Sequence, residues 1–165
     1  MRKTKIKLIS FKFLGKVIEN GVILDFKAKK IDNTDFKLSN IKGNKIISVF
    51  PDINTSICDK QTQKISQLSI KFPKVKFISV SMDSIEKQND WCAAHNIENI
   101  LIVSDKEYKD FGKKTNLYIP KIKKLGRALM ILNDDNEIID LSINEEVAAE
   151  PNWELIEKYL EKTNK

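Results

Sequence analysis

Ile46-Ile47-Ser48-Val49-Phe50-Pro51-Asp52-Ile53-Asn54-Thr55-Ser56-Ile57-Cys58 is the stretch from which the rest of the chain is read. Its first five residues are almost wholly apolar, the pattern of a strand buried on both faces. Pro51 stops that strand, because proline has no N–H to give to a ladder. A turn follows, and from Thr55 or Ser56 the sequence takes helical spacing, with Asp59 three residues after Ser56 as a weak capping box. Cys58 then falls in the first helical turn. There the exposed N–H groups and the positive end of the helix dipole favour thiolate over thiol.

Downstream, the stripe Ile57, Gln61, Ile65, Leu68 and Phe72 carries the helix to Pro73. Residues 76–81 read as a strand, and residues 84–95 as a second helix carrying Ile85, Trp91 and Cys92. Residues 100–103 read as a strand and residues 107–111 as one or two helical turns. Arg127 heads an apolar run to Leu132, which pairs with residues 137–143 across Asn133-Asp134-Asp135-Asn136 as a β-hairpin. Pro151 opens a last amphipathic helix through Trp153, Ile156, Tyr159 and Leu160. Upstream, residues 6–17 read as a short hairpin turning at Gly15-Lys16, and residues 22–28 as a strand. Asp32-Asn33 reads as a turn and residues 36–38 as a short strand or loop. This order predicts an α/β, thioredoxin-like sandwich with a central mixed β-sheet, flanking helices and an N-terminal β-hairpin extension. No repeat or linker divides residues 1–165, so a single domain is expected.

Composition narrows the function. Hydrophobic residues make up 41% and charged residues 32% of the chain, an ordinary globular balance. No apolar run reaches the length of a membrane span. The basic start, Met1 to Lys7, lacks the apolar core and cleavage site of a secretion signal, so a cytoplasmic location is expected. The net charge of +6 comes from lysines scattered among acids, with no basic-aromatic stripe and no P-loop or zinc-finger pattern. A nucleic-acid partner is therefore not expected. One histidine and no Cys-x-x-Cys argue against a metal site. His95 reads as a solvated cap residue, and Trp91 and Trp153 as core or interface aromatics.

A free thiol of pKa near 8.5 is about 3% ionised at neutral pH, and a pKa near 6 raises this to about 90%. Ionisation alone thus gains about thirty-fold, and fast attack on a peroxide also needs the leaving oxygen stabilised. Thr55, one helical turn before Cys58, has a hydroxyl to offer. An arginine would add a rigid fork of donors, and Arg2 and Arg127 are the only two arginines. On residue type alone, both cysteines stay open between chemistry and core packing. Likewise Thr55 is a donor or an N-cap, and Arg127 a site residue or half of a surface ion pair.

The spacing Pro-x-x-x-Thr-x-x-Cys at Pro51, Thr55 and Cys58 resembles the active-site signature of the peroxiredoxins. Gln63 stands where one class of that family keeps a nearby second cysteine, and no cysteine follows Cys92. What remains is similar to the thiol peroxidase subfamily, the atypical two-cysteine peroxiredoxins. Phe13-Leu14-Gly15-Lys16, Leu125-Gly126-Arg127-Ala128 and the segment from Glu146 to Trp153 match its N-terminal hairpin, arginine strand and approach to the last helix.

The resemblance implies a peroxidase that reduces hydrogen peroxide and organic hydroperoxides through a sulfenic acid on Cys58. It implies that Thr55 and Arg127 orient the peroxide, that Pro51 shields the sulfenate, and that Cys92 resolves it as an intramolecular disulfide. Thioredoxin or a similar dithiol would then reduce the enzyme, which would be a homodimer with no cofactor. A disulfide needs Cα atoms within about 7 Å, so thiols on two helices imply local unwinding around both. Ahead of its resolving cysteine the subfamily carries a Leu-Pro-Phe element and an arginine. Here Ser84-Ile85-Glu86 and Asp90 stand in those places, which puts the expected change on resolution rather than on attack. Two alternatives accompany this reading: a thiol-disulfide redox sensor on the same scaffold, and a basic binding module with incidental cysteines.

Overall fold

The computed structural model describes residues 3–6, 9–12, 16–97, 99–145 and 148–163. At its start, β1 (Lys3–Ile6) and β2 (Ile9–Lys12) form a separate antiparallel hairpin. The expected hairpin over residues 6–17 is therefore displaced toward the N-terminus. Phe13, Leu14 and Gly15, and farther on Glu146 and Val147, lie outside the described residues.

The elements that follow are β3 (Lys27–Lys30), β4 (Asp35–Lys37), β5 (Lys45–Val49), α1 (Ser56–Lys71), β6 (Lys76–Ser81) and α2 (Ile85–His95). After them come β7 (Leu101–Ser104), α3 (Asp110–Thr115), β8 (Tyr118–Ile119), β9 (Lys124–Leu125), β10 (Ala128–Leu132), β11 (Ile138–Ile143) and α4 (Trp153–Thr163). Seven strands make one mixed sheet in the order β11-β10-β5-β6-β7-β3-β4. β5, β6 and β7 run parallel, joined by α1 and α2, while β10 and β3 flank them antiparallel. This is the thioredoxin-like arrangement that the order of patterns implied.

Alternation along the central strands fills both faces. Ile47 and Val49 of β5, Ile78 and Val80 of β6, and Ala128, Met130 and Leu132 of β10 pack into one cluster with Phe26, Phe36 and Phe111. Ile46, Phe77, Leu129 and Ile131 point the other way, onto Ile65 and Phe72 near α1 and onto Ile156 and Leu160 of α4. Strands covered on both sides favour apolar residues on both faces, which is why β10 is wholly apolar and β5 carries only Lys45 at its start and a hydrogen-bonded Ser48.

Two elements depart from the sequence reading. Within residues 22–28 only Lys27 and Ala28 join a strand. Ile23 makes an isolated bridge to Glu137 and is 71% exposed. The segment bonds instead to the turn end of the β10–β11 hairpin, with Leu24 N–H donating to Asn136 O at 2.9 Å.

The short helix begins at Asp110 rather than Glu107, because Asp105 fixes its start from outside. Its carboxylate accepts Phe111 N–H and Gly112 N–H, each at 2.9 Å. Gly112 permits the approach, since a Cβ there would sit 3.1 Å from Asp105 Oδ2 and 3.1 Å from Tyr118 Cβ.

Asp105 is fully buried, and burial pushes its carboxyl up to about 6 despite those two N–H donors. A raised folded-state value means that the folded chain holds this proton more tightly than the unfolded chain does. The associated stability is present below the unfolded value of 3.8 and is lost as pH rises through about 6. Two pKa units correspond to about 2–3 kcal/mol. Asp105→Asn should therefore gain about that much relative to wild type between pH 4 and pH 7 in urea titrations. A wild-type-to-variant gap that stays constant across this range would refute the assignment.

Candidate active site

The turn after β5 is held from three elements. Ile53 N–H donates to Asp83 Oδ2 at 2.9 Å, beyond the end of β6. Asp52 is gripped by Lys87 Nζ of α2 and Lys124 Nζ of β9, each at 2.7 Å. Lys87 also reaches Asp83 Oδ1 at 3.0 Å, which ties the two carboxylates together. Burial works to raise the Asp52 value, but hydrogen bonds from Lys124 and Lys87, with the Asn54 N–H, outweigh it and hold the carboxyl well below the usual carboxylate range. Local bonds finish the turn: Thr55 N–H and Thr55 Oγ1 both donate to Asp52 O, at 3.1 and 2.8 Å.

Thr55 is the N-cap of α1 by position, without a side-chain capping bond. Its hydroxyl is committed to the Asp52 carbonyl in this state, so it does not point its proton at the sulfur. Pro51 is buried next to Phe50, at the bend where the strand stops. Ser56 lies inside the helix, so the expected Ser56–Asp59 capping box does not form.

Cys58 is the third residue of α1 and has no exposed surface. Arg127, immediately before β10, points its guanidinium into the same place. Nη2 donates to Cys58 Sγ at 3.3 Å, and Nη1 donates to Gln61 Oε1 at 2.6 Å. Gln61 is fixed in turn, its Nε2 donating to Ser48 Oγ at 2.7 Å and to Val49 O at 3.3 Å. Arg127 is 2% exposed, which excludes the surface ion pair.

The guanidinium thus sets one N–H donor on the sulfur while a second is spent on fixing Gln61. In the sequence Gln61 is one step of the helical stripe from Ile57 to Phe72. The signal in the sequence was a polar residue on a buried face, one turn beyond the cysteine.

Cys92 lies on α2, 7% exposed, in one apolar cluster with Cys58, Phe50, Ile53, Trp91 and Ile102. Both cysteines are free thiols, and burial pushes the Cys92 thiol up. The two are thus brought into one pocket of packing, on adjacent helices.

His95 is more than a solvated cap. Its ring stacks on Trp91 with centroids 4.2 Å apart, its Nδ1 lies 2.8 Å from Trp91 O, and its Nε2 lies 3.0 Å from Asp59 Oδ1. The same Asp59 oxygen accepts Trp91 Nε1–H at 2.8 Å. Among the described residues, no cluster of three or more His, Cys, Asp or Glu could hold a metal ion. Nor is any described helix long and apolar enough to cross a membrane.

Comparison with known proteins places these observations in a family. The AhpC/TSA family model matches residues 21–141. The chain is 32% identical to a thiol peroxidase of Oceanobacillus iheyensis over 84% of its own length and 85% of that protein. It is 32% identical to one of Streptococcus pneumoniae over 86% and 88%. Among solved structures, the thiol peroxidase of Chromobacterium violaceum superposes with a TM-score of 0.89 at 17% identity, over 99% of this chain and 97% of that one. At that identity the likeness concerns the fold.

Proposed function

The chain belongs to the AhpC/TSA family and is a thiol-dependent peroxidase, and on that premise we propose that Cys58 attacks the hydroperoxide and that Cys92 of the same chain resolves the product. The observation that carries this reading is the Arg127 guanidinium bonded at once to Cys58 Sγ and to a fixed Gln61, at the first turn of α1.

The Cys58 thiolate attacks the distal oxygen of a hydrogen peroxide or alkyl hydroperoxide. An S–O bond forms as the O–O bond breaks, the sulfur is oxidised by two electrons, and the leaving oxygen departs as water or alcohol after taking up a proton. Arg127 supplies fixed positive charge where negative charge develops, in a buried site where such charge acts most strongly. Pro51 and Phe50 wall the sulfenic acid from water. Thr55 turns from the Asp52 carbonyl to the peroxide once the peroxide is bound. Cys92 then displaces the sulfenic oxygen to give the Cys58–Cys92 disulfide. Thioredoxin or a similar dithiol returns two electrons and two protons, and no cofactor takes part.

Intact-mass measurement of the reduced protein after one equivalent of hydroperoxide tests the scheme. The wild type should lose two hydrogens, and Cys92→Ser should gain one oxygen. A wild type that stays unchanged for minutes ends the proposal. Repeated turnover with a dithiol separates a peroxidase from a redox sensor that fires once.

A further inference from the structure

The helix that carries Cys92 is held unequally along its length. Its N-terminal half is anchored in the body of the protein. Ser84 Oγ accepts Lys87 N–H at 3.2 Å, and Lys87 bridges Asp52 and Asp83. Gln88 is fully buried, its Nε2 donating to Ser81 Oγ and to Val103 O. Beyond α2, Asn99 is tied again, with Nδ2 donating to Ser66 O of α1 at 2.9 Å.

Between these anchors, Ala93, Ala94, His95 and Asn96 face solvent, and the helix ends on Asn96 in the left-handed region at φ 53°. Beside the apolar packing of Trp91 and Cys92 near Cys58, the polar hold of this half on α1 converges on one carboxylate oxygen. Asp59 Oδ1 takes the indole N–H of Trp91 and a ring nitrogen of His95, and it also accepts Gln63 Nε2 of its own helix at 3.2 Å. The stacking of His95 on Trp91 makes the two side chains one block, and Cys92 sits between them in sequence. Asp59 directly follows Cys58, so the group that grips the second helix rides on the turn that carries the first thiol.

We propose that Asp59 is a latch on the C-terminal half of α2, and that its release of Trp91 and His95 sets the rate at which Cys92 reaches the Cys58 sulfenic acid. The proposal rests on the reading of Cys92 as the resolving thiol and deepens it. Within α2, unwinding runs from its C-terminal end back toward Gln88, while the Lys87 end stays in place.

In the latched state, burial keeps the Cys92 thiol protonated. Release exposes it to water as well as freeing it to move, so one event supplies the approach and removes the burial that disfavours the thiolate. The step is balanced within the chain. The Cys92 thiolate forms the S–S bond, the Cys58 S–O bond breaks, and the departing hydroxide takes a proton to leave as water.

The test separates the two chemical steps. In rapid-quench mass measurements with hydrogen peroxide, Trp91→Phe and His95→Gln should form the sulfenic acid within about twofold of wild type. They should close the disulfide about fivefold faster, the scale of one net hydrogen bond. A general loss of structure would slow both steps instead.

In a Trp153→Phe background Trp91 is the sole tryptophan, and its emission should change no later than the disulfide forms. A disulfide rate that is unchanged or slower in both variants, or an emission that ignores disulfide formation, overturns the latch while leaving Cys92 as resolver. A wild type that forms no Cys58–Cys92 disulfide overturns both.

Discussion

Cys58→Ser should remove peroxide consumption altogether, a loss of roughly a thousandfold or more, because a hydroxyl remains protonated at neutral pH and is a poor nucleophile toward an O–O bond. The substitution is close to isosteric in a site with no exposed surface, so packing against Phe50, Ile53 and Ile102 is kept. The serine oxygen can also accept the proton that Arg127 Nη2 now gives to sulfur. The expected cost in stability is about 1 kcal/mol or less, a few degrees in melting temperature. Peroxide consumption with a dithiol and a thermal melt, measured on the same preparation, decide the matter. A variant that keeps a tenth of wild-type turnover would show that another group performs the attack.

Arg127→Lys should slow sulfenic acid formation by roughly a hundred- to a thousandfold, the usual effect of removing one well-placed donor from a site of developing charge. The guanidinium reaches Cys58 Sγ with one nitrogen and Gln61 Oε1 with another. An ammonium is a single point on a shorter reach and cannot serve both. The lysine keeps the positive charge, so loss of rate would be assigned to geometry rather than to charge alone. Gln61 Oε1 loses a partner in a buried site, which should cost about 1–3 kcal/mol of stability. Stopped-flow rates of the reduced enzyme against peroxide concentration give the number, and denaturant titration gives the stability. A rate within threefold of wild type would mean that Arg127 holds Gln61 and does little for the reaction.

The two results differ in how far each could be foreseen. Cys58 was legible because everything that marks it is local: an apolar strand, a proline that ends it, and a helix that begins a few residues later. Arg127 was legible only by its rarity and its place before an apolar strand. Its neighbour Gln61 was hidden inside a helical stripe, because a buried polar residue shows itself only through its partner. That partner is 66 positions away, immediately before β10.

The contacts of His95 were hidden for the same reason. Nothing near it in sequence announces that its ring will meet Asp59, which lies on another helix. The β8–β9 hairpin went unread because it is only two residues wide on each side. The short helix was misplaced because Asp105, not its own first residues, sets where it starts.

By itself the sequence determined the order of the main strands and helices around the site, the apolar strands β5 and β10, and the cysteine at the first turn of α1. These follow from hydrophobic period and backbone chemistry, which act over a few residues. Only the tertiary structure decided which side chain meets the sulfur, which carboxylate locks the turn, and which contacts hold α2 over Cys58. Those choices depend on groups that lie far apart along the chain and become neighbours only when seven strands are paired in register. Burial then fixes their energies, because a charge or donor enclosed away from water must take whatever partner the fold has put beside it.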